Sequence, residues 1–266
     1  MKKGLFFMAI ACVFTHFSCK ETPSAKTTTD AVVEKTVAVV KEAAQNVLSE
    51  AETKEGYRLL FDGKTMKGWR NFKKQTIGKD WIVDSAAQAI ALNVIKKADG
   101  HWQAEDGGDI ITDDSYENYE FQVEWKIDTC GNSGIIYNVI EHPTAEYVWH
   151  TGPEMQVLDN KCHPDAKIIK HRAGDLYDLI SSSSEPVRPA LEWNQAKLVQ
   201  NKGKVEHWLN GVKIVEYDMN KPEWKALIAK SKFAKMPLFG KSMKGHLSLQ
   251  DHGNKVWYRN LKIKLL

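Results

Sequence analysis

The 266-residue chain has no apolar run of the roughly 20 residues that a transmembrane helix needs; its most apolar segment, Leu5 to Phe14, is about half that length. A multi-span helical membrane protein is excluded. An excess of one charge is also missing. Against 37 Lys and Arg stand 34 Asp and Glu, a formal +3 scattered along the sequence. Nucleic-acid binding calls for a concentrated basic patch instead. Eight Pro and 17 Gly are too few for a collagenous or low-complexity chain. There is no Gly-x-Ser-x-Gly elbow, no phosphate loop and no dinucleotide fingerprint. The run Ser181 to Ser184 has no base beside it, so a serine nucleophile is not expected. No period of 20–50 residues repeats, which excludes a solenoid or propeller.

What is present begins with an address. Lys2-Lys3, the apolar run and Ser18-Cys19 have the order of a secretory signal over residues 1–18. A Cys just past such a segment matches a bacterial lipoprotein site, with Cys19 as the lipidated first residue; Ala9-Ile10-Ala11-Cys12 is a rival with too short an apolar core, and simple secretion is the other alternative. The expected location is the cell envelope, periplasm or outer membrane, with the lipid chains buried in the bilayer. Residues 19–52 read as a tether. Glu21 to Asp30 is rich in Thr, Ser and Lys, and Val33, Val37, Val40, Ala44, Val47 and Leu48 recur at helical spacing, as a spacer or a partner-binding helix.

Residues 53–266 read as one all-β domain of two packed antiparallel sheets. Phe121, Val123, Trp125 and Ile127 alternate with polar residues, and Asn210-Gly211 joins two alternating runs, a strong hairpin signal because both positions tolerate positive φ. The chain ends in an alternating strand, Val256 to Leu265, and a helix is expected at Glu223 to Lys230 behind Pro222. No strand is assigned between Ala86 and Ala98, where an insertion would reshape one rim of a cleft.

Alternation also sorts side chains by face. Glu154 and Gln156 point away from Met155 and Val157; His246, Ser248, Gln250 and His252 point away from Leu247 and Leu249. Amides and imidazoles gathered on one sheet suit a sugar cleft, whose ligand hydroxyls need matched donors and acceptors. Nine Trp and eight Tyr add flat faces that suit sugar rings. An ordinary solvated outer face is the alternative.

Seven blocks then stand in order: Leu60-Phe61-Asp62-Gly63-Lys64-Thr65 with Gly68-Trp69; Gly131-Asn132-Ser133-Gly134-Ile135; Glu154 to Asn160; Gly174-Asp175-Leu176-Tyr177; Glu192-Trp193-Asn194; His207 to Gly211; and Leu249-Gln250-Asp251-His252-Gly253. Over residues 56–266 this order resembles the bacterial 3-keto-disaccharide hydrolase family. The resemblance implies a concanavalin-like jelly roll with its ligand on the concave sheet, acting on an oxidised glucoside or disaccharide.

The implied chemistry starts from a ketone at C3, which acidifies the hydrogen on C2. Loss of that proton gives an enolate, the glycosidic oxygen on C1 leaves by β-elimination, and water addition completes a net hydrolysis. The route needs a base, a partner for the enolate oxygen and an acid for the leaving group. It does not need the two flanking carboxylates of ordinary glycosidases. Glu154 is the expected base, with His150 and His252 as rivals. Tyr177 or His171 would supply the leaving-group proton. Asn132, Gln156 and Gln250, with Asp159 and Trp149, form the expected binding set.

His142, His150, His163 and His171, beside Glu154 and Asp159, are candidates for a divalent metal that would polarise the ketone. Neither His-x-x-x-His nor Cys-x-x-Cys spacing accompanies them. Whether Cys130 and Cys162 pair is left open by the sequence. A non-catalytic carbohydrate-binding lipoprotein remains the alternative function.

Overall fold

A computed structural model describes residues 44–266. The expected signal peptide, Cys19 and most of the tether lie outside the described residues. Among the described residues, two short α-helices, α1 (Glu50–Lys54) and α2 (Pro222–Ala229), accompany fifteen strands. These are β1 (Arg58–Leu59), β2 (Trp69–Asn71), β3 (Trp81–Asp84), β4 (Ala89–Leu92), β5 (Ile95–Lys96), β6 (Trp102–Gln103), β7 (Ile110–Thr112) and β8 (Tyr119–Ile127). The second half adds β9 (Asn132–Val139), β10 (Glu154–Leu158), β11 (Asn194–Asn201), β12 (Lys204–Leu209), β13 (Val212–Asp218), β14 (His246–Leu249) and β15 (Val256–Leu265).

Two antiparallel sheets pack face to face. One runs β13-β12-β11-β8-β15-β4-β3, with β1 added alongside β15; the other runs β10-β9-β14-β7-β2. β8 shows why the layers form. Tyr119, Phe121, Val123, Trp125 and Ile127 are buried, while Glu120, Gln122, Glu124 and Lys126 stay partly exposed. The apolar set therefore has to be covered by a second layer. Ile135, Tyr137, Met155, Val157, Leu247 and Leu249 from the five-stranded sheet supply the cover, in one contiguous core. This is the two-sheet antiparallel sandwich that the sequence pattern indicated, and the jelly roll that the resemblance implied.

The Asn210-Gly211 hairpin is present between β12 and β13, with φ of 48° and 82° at the two turn residues. α2 lies within a residue of its expected bounds, and β15 ends the chain as a strand. The stretch without an assigned strand does contain one. β4 is buried at all four positions, so it shows no alternation to read. Ile90 and Leu92 enter the main core, and Ala89 and Ala91 lie under Trp257 on the other side. Small side chains there leave room for the indole.

The domain also starts earlier than residue 53. Residues 44–49 are not helical, and Asn46, buried with φ of 56°, docks on the sheet. The β15 pairing slips between Arg259 and Lys262. Asn46 and Asn260 bridge that bulge reciprocally: the Asn46 N–H donates to Asn260 Oδ1 at 2.6 Å and the Asn260 N–H to Asn46 Oδ1 at 2.8 Å. Helical spacing through Val47 and Leu48 is overridden because the bulge offers Asn46 better partners than a helix would.

Between the sheets lies one fully buried polar chain. The Tyr137 hydroxyl meets His207 Nε2 at 2.9 Å and the Tyr217 hydroxyl at 2.6 Å, while His207 Nδ1 reaches the Gly174 carbonyl at 3.1 Å. Burial holds the His207 ring neutral, pulling its pKa from 6.5 to about 4. As pH falls from 6.5 to about 4, the unfolded chain binds a proton that the native ring refuses, so this group lowers stability through that window. His207→Gln is expected to cost about 1–3 kcal/mol at pH 7, seen as a lower Tm, with the gap to the natural protein narrowing by pH 5. Thermal denaturation at both pH values checks this; a constant gap would contradict it.

Candidate functional site

The outward face of the five-stranded sheet carries a cleft of about 210 Å³. Its floor comes from β9, β10 and the end of β14: Asn132, Glu154, Gln156, Gln250 and, one turn on, His252. Trp149, Tyr177, Lys232 and Phe233 line the walls. Asn132 and His252, 120 positions apart, meet because β9 pairs with β10 on one side and with β14 on the other.

Local packing explains the placement. Gly134 lies on β9 directly against the Glu154 carboxyl; a Cβ at 134 would collide with Glu154 Oε1. The Gly131 to Gly134 block therefore makes space for an acid rather than cradling a phosphate. The segment ending in Tyr177 is laced onto the free edge of β10. Gly174 N donates to the Gln156 carbonyl at 2.8 Å, Gln156 N to the Asp175 carbonyl at 3.1 Å, and Tyr177 N to the Glu154 carbonyl at 3.0 Å. Lys232 is brought in by a one-turn 3-10 segment, Lys232–Lys235, capped by Ser231. Its backbone N–H donates to Asp178 Oδ2 at 2.9 Å, and its ammonium sits 4.0 Å from the centre of the Tyr177 ring.

Burial pushes the Glu154 carboxyl from 4.5 to about 8; Lys232 opposes that rise, and Asp109 and Asp165 add to it. Burial also lowers the Lys232 pKa, with Glu154, Asp178 and Asp165 pulling the other way. The Tyr177 phenol is held well above its usual range, chiefly by burial. Three amide oxygens in the cleft lining, Asn132 Oδ1, Gln156 Oε1 and Gln250 Oε1, are buried without a hydrogen-bond partner. Unpaired buried acceptors are costly, and three together await hydroxyl donors.

Among the residues expected at a site, Glu154, Asn132, Gln156, Gln250, His252, Tyr177 and Trp149 converge on the cleft. Others do not. Asp159 is committed to backbone: its carboxylate accepts from Cys130 N at 2.9 Å and Lys161 N at 3.0 Å. His150 stands edge-on to Trp149, ring centres 4.4 Å apart, and accepts from Glu146 N. His171 lies behind Tyr177, its ring 4.2 Å away, between Asp165 and Asp178 at 3.6 and 3.4 Å. His246 is carried off the polar row by a register shift after it and meets the Thr112 carbonyl.

The four clustered histidines do not converge on a metal. His142 meets Thr144, and His163 accepts from Asp165 N. Among the described residues, the trio of ligand atoms close enough for one ion is Cys130, Asp159 and Cys162. There the two cysteines are bonded to each other, closing the question left open by the sequence. The disulfide ties the loop before β9 to the loop after β10, at one end of the cleft floor. Lys232 has no signal in the sequence, because a single Lys in a Lys-rich stretch carries no distinguishing pattern.

This geometry can be set beside known proteins. A family profile described as the 3-keto-alpha-glucoside-1,2-lyase-like domain matches residues 56–264. The chain belongs to that family. A protein from Bacteroides thetaiotaomicron named 3-keto-disaccharide hydrolase is 35% identical over 248 residues, covering 85% of this chain and 84% of the relative. A crystal structure from Parabacteroides distasonis, titled a "putative glycosyl hydrolase", superposes with a TM-score of 0.73 at 33% identity, over 84% of this chain and all of that one. A second from the same organism, with the same description, reaches a TM-score of 0.54 at 24% identity, over 79% of this chain and 99% of that one, and shows the shared fold.

The lyase-like domain pays a stability cost for its buried acid. Because the folded pKa lies above 4.5, the native state retains a proton that the unfolded chain releases, and stability falls as pH rises from 4.5 to about 8. Glu154→Gln carries no such loss. Its stability relative to the natural protein is expected to rise between pH 5 and pH 8 by an amount on the order of a few kcal/mol, read as a growing difference in Tm. Equal differences at both pH values would show that Glu154 ionises without penalty.

Proposed function

We propose that the domain cleaves 3-keto glucosides, including 3-keto disaccharides, by proton abstraction at C2, β-elimination and hydration. The observation that carries this reading is the Glu154 carboxyl, desolvated at the floor of a cleft whose other polar groups are hydroxyl-binding amides. Family membership and the name of the Bacteroides relative support the substrate class. A binding module needs the amides and Trp149, but gains nothing from an acid whose pKa is displaced by burial.

In this scheme the Glu154 carboxylate takes the C2 proton, and burial makes it a stronger base than an exposed glutamate. Negative charge moves to the C3 oxygen, where the Lys232 ammonium offsets it at low dielectric cost. The C1–O bond breaks, and the leaving oxygen takes the Tyr177 phenolic proton. Water then adds at C1, giving its proton back to Tyr177 while Glu154 returns a proton to C2. Net atoms balance as hydrolysis. Asn132, Gln156 and Gln250 accept from ring hydroxyls, and Trp149 offers a flat face to the sugar. His252, at the cleft end, meets Asn132 Nδ2 at 3.5 Å and orients that amide. Tyr177 rather than His171 fills the acid role because it lines the cleft and His171 stands behind it.

Export and lipidation at Cys19 belong to the same proposal. The Cys130–Cys162 disulfide supports an oxidising compartment. No helix among the described residues is long and apolar enough to cross a membrane.

Incubation with α- and β-linked 3-keto disaccharides should release reducing sugar, with a transient enone absorbance; absence of either product across both linkages would favour a binding module. Glu154→Gln should lower kcat/KM by about 10²–10⁴-fold. For the natural enzyme, kcat/KM should climb with pH and level off above about 8, following ionisation of Glu154. A profile that instead falls above that pH would make Glu154 the proton donor. Lys232→Met should lower kcat by about 10²-fold and move the midpoint upward, since the lost ammonium favoured the carboxylate.

A further inference from the structure

The cleft's 210 Å³ sets a limit on what it holds. Sites that enclose a drug-sized ligand run to about 300–1,000 Å³, and a disaccharide is of that size. The cleft has room for one pyranose ring, so a second ring has to lie outside, against a rim.

One rim is built by the stretch that the two sheets do not use. β5 and β6 pair only with each other, as a hairpin turning at Gly100. Its base is pinned to the domain: Asp80 Oδ2 accepts from Glu105 N at 2.6 Å and Asp106 N at 2.7 Å. β6 also runs hard against Gly253, one residue from His252 of the cleft. A Cβ on Gly253 would stand 2.8 Å from the Trp102 carbonyl oxygen. The hairpin is thus fixed beside the His252 end of the cleft, and its Trp102 side chain is 51% exposed, a large apolar surface left to solvent.

We propose that Trp102 is a specificity-determining residue that binds the leaving sugar of a disaccharide substrate, stacking its indole on the ring that projects past His252. This rests on the function proposed above and extends it to the part of the substrate beyond the scissile bond. An indole face matches the C–H face of a pyranose, and one that is half exposed can be covered by a ligand without displacing core packing. The second ring contributes uniform binding, equal before and during reaction, so it acts through KM rather than kcat.

The test compares a 3-keto disaccharide with a 3-keto methyl glucoside, whose leaving group is too small to reach the rim. Trp102→Ala should raise KM for the disaccharide about tenfold, with kcat kept and both constants for the methyl glucoside unchanged. Equal constants for the variant and the natural protein on the disaccharide, or equal losses on both substrates, would overturn the proposal. So would finding the disaccharide-only loss in Tyr147→Ala, at the Trp149 wall of the cleft, where an exposed tyrosine stacks on Trp149 at 5.1 Å. Calorimetric binding of an unoxidised glucosyl disaccharide and of methyl glucoside gives a readout independent of turnover. Selective loss of disaccharide binding in Trp102→Ala supports the rim site even if the natural protein turns over neither keto substrate, an outcome that would count against the proposed reaction alone; unchanged disaccharide binding there refutes the rim site.

Discussion

A carboxyl group withdrawn from water must find compensation or keep its proton, and in this domain that constraint falls on Glu154. The surrounding architecture is organised around it. Gly134 yields the volume, the Gly174 to Tyr177 segment closes the edge of β10, and Lys232 leans in from a separate turn. Only Lys232 brings a countercharge, and burial weakens that charge as well. The carboxyl therefore keeps a pKa near 8 instead of being neutralised by a tight ion pair. A full salt bridge would stabilise the carboxylate and remove its value as a base.

In and around the cleft, groups that hold the fold are set apart from groups left open to a ligand. Asp159 and Asp175 spend their oxygens on backbone amides, with Asp175 accepting from Arg172 N and Ser182 N. Asn132, Gln156 and Gln250 keep oxygens unpaired. That contrast separates two sets of similar polar residues, all of them buried. Behind the wall, His207 binds the Gly174 carbonyl, so the polar chain between the sheets also steadies the loop that presents Tyr177. Stability and the geometry of the cleft wall are joined at that point.

Much of this arrangement is legible in the sequence. Two-residue alternation in β8 and β10, the Asn-Gly turn and the ordered blocks were enough for the sandwich and for the face shared by Glu154, Gln156 and Gln250. What escaped followed from contacts made at a distance. β4 has no alternation because both its faces are covered. Asn46 leaves a helical pattern for a bulge more than 200 residues away in the chain. His150 and His171 have the composition of catalytic groups, yet pack against Trp149 and Tyr177 instead of lining the cleft, a difference of position that residue type does not encode.

Sequence by itself determined the periodicities, and through them which side chains share a face, because a strand's two-residue repeat is a local property of the backbone. It also limited the turns, since positive φ at Asn210 and Gly211 is a matter of the residues themselves. Only tertiary structure decided which polar groups are desolvated, which are already paired, and that Lys232 stands beside Glu154. Burial and charge proximity depend on what packs against a residue from elsewhere in the chain, and a pKa follows from those surroundings rather than from the residue's neighbours in sequence.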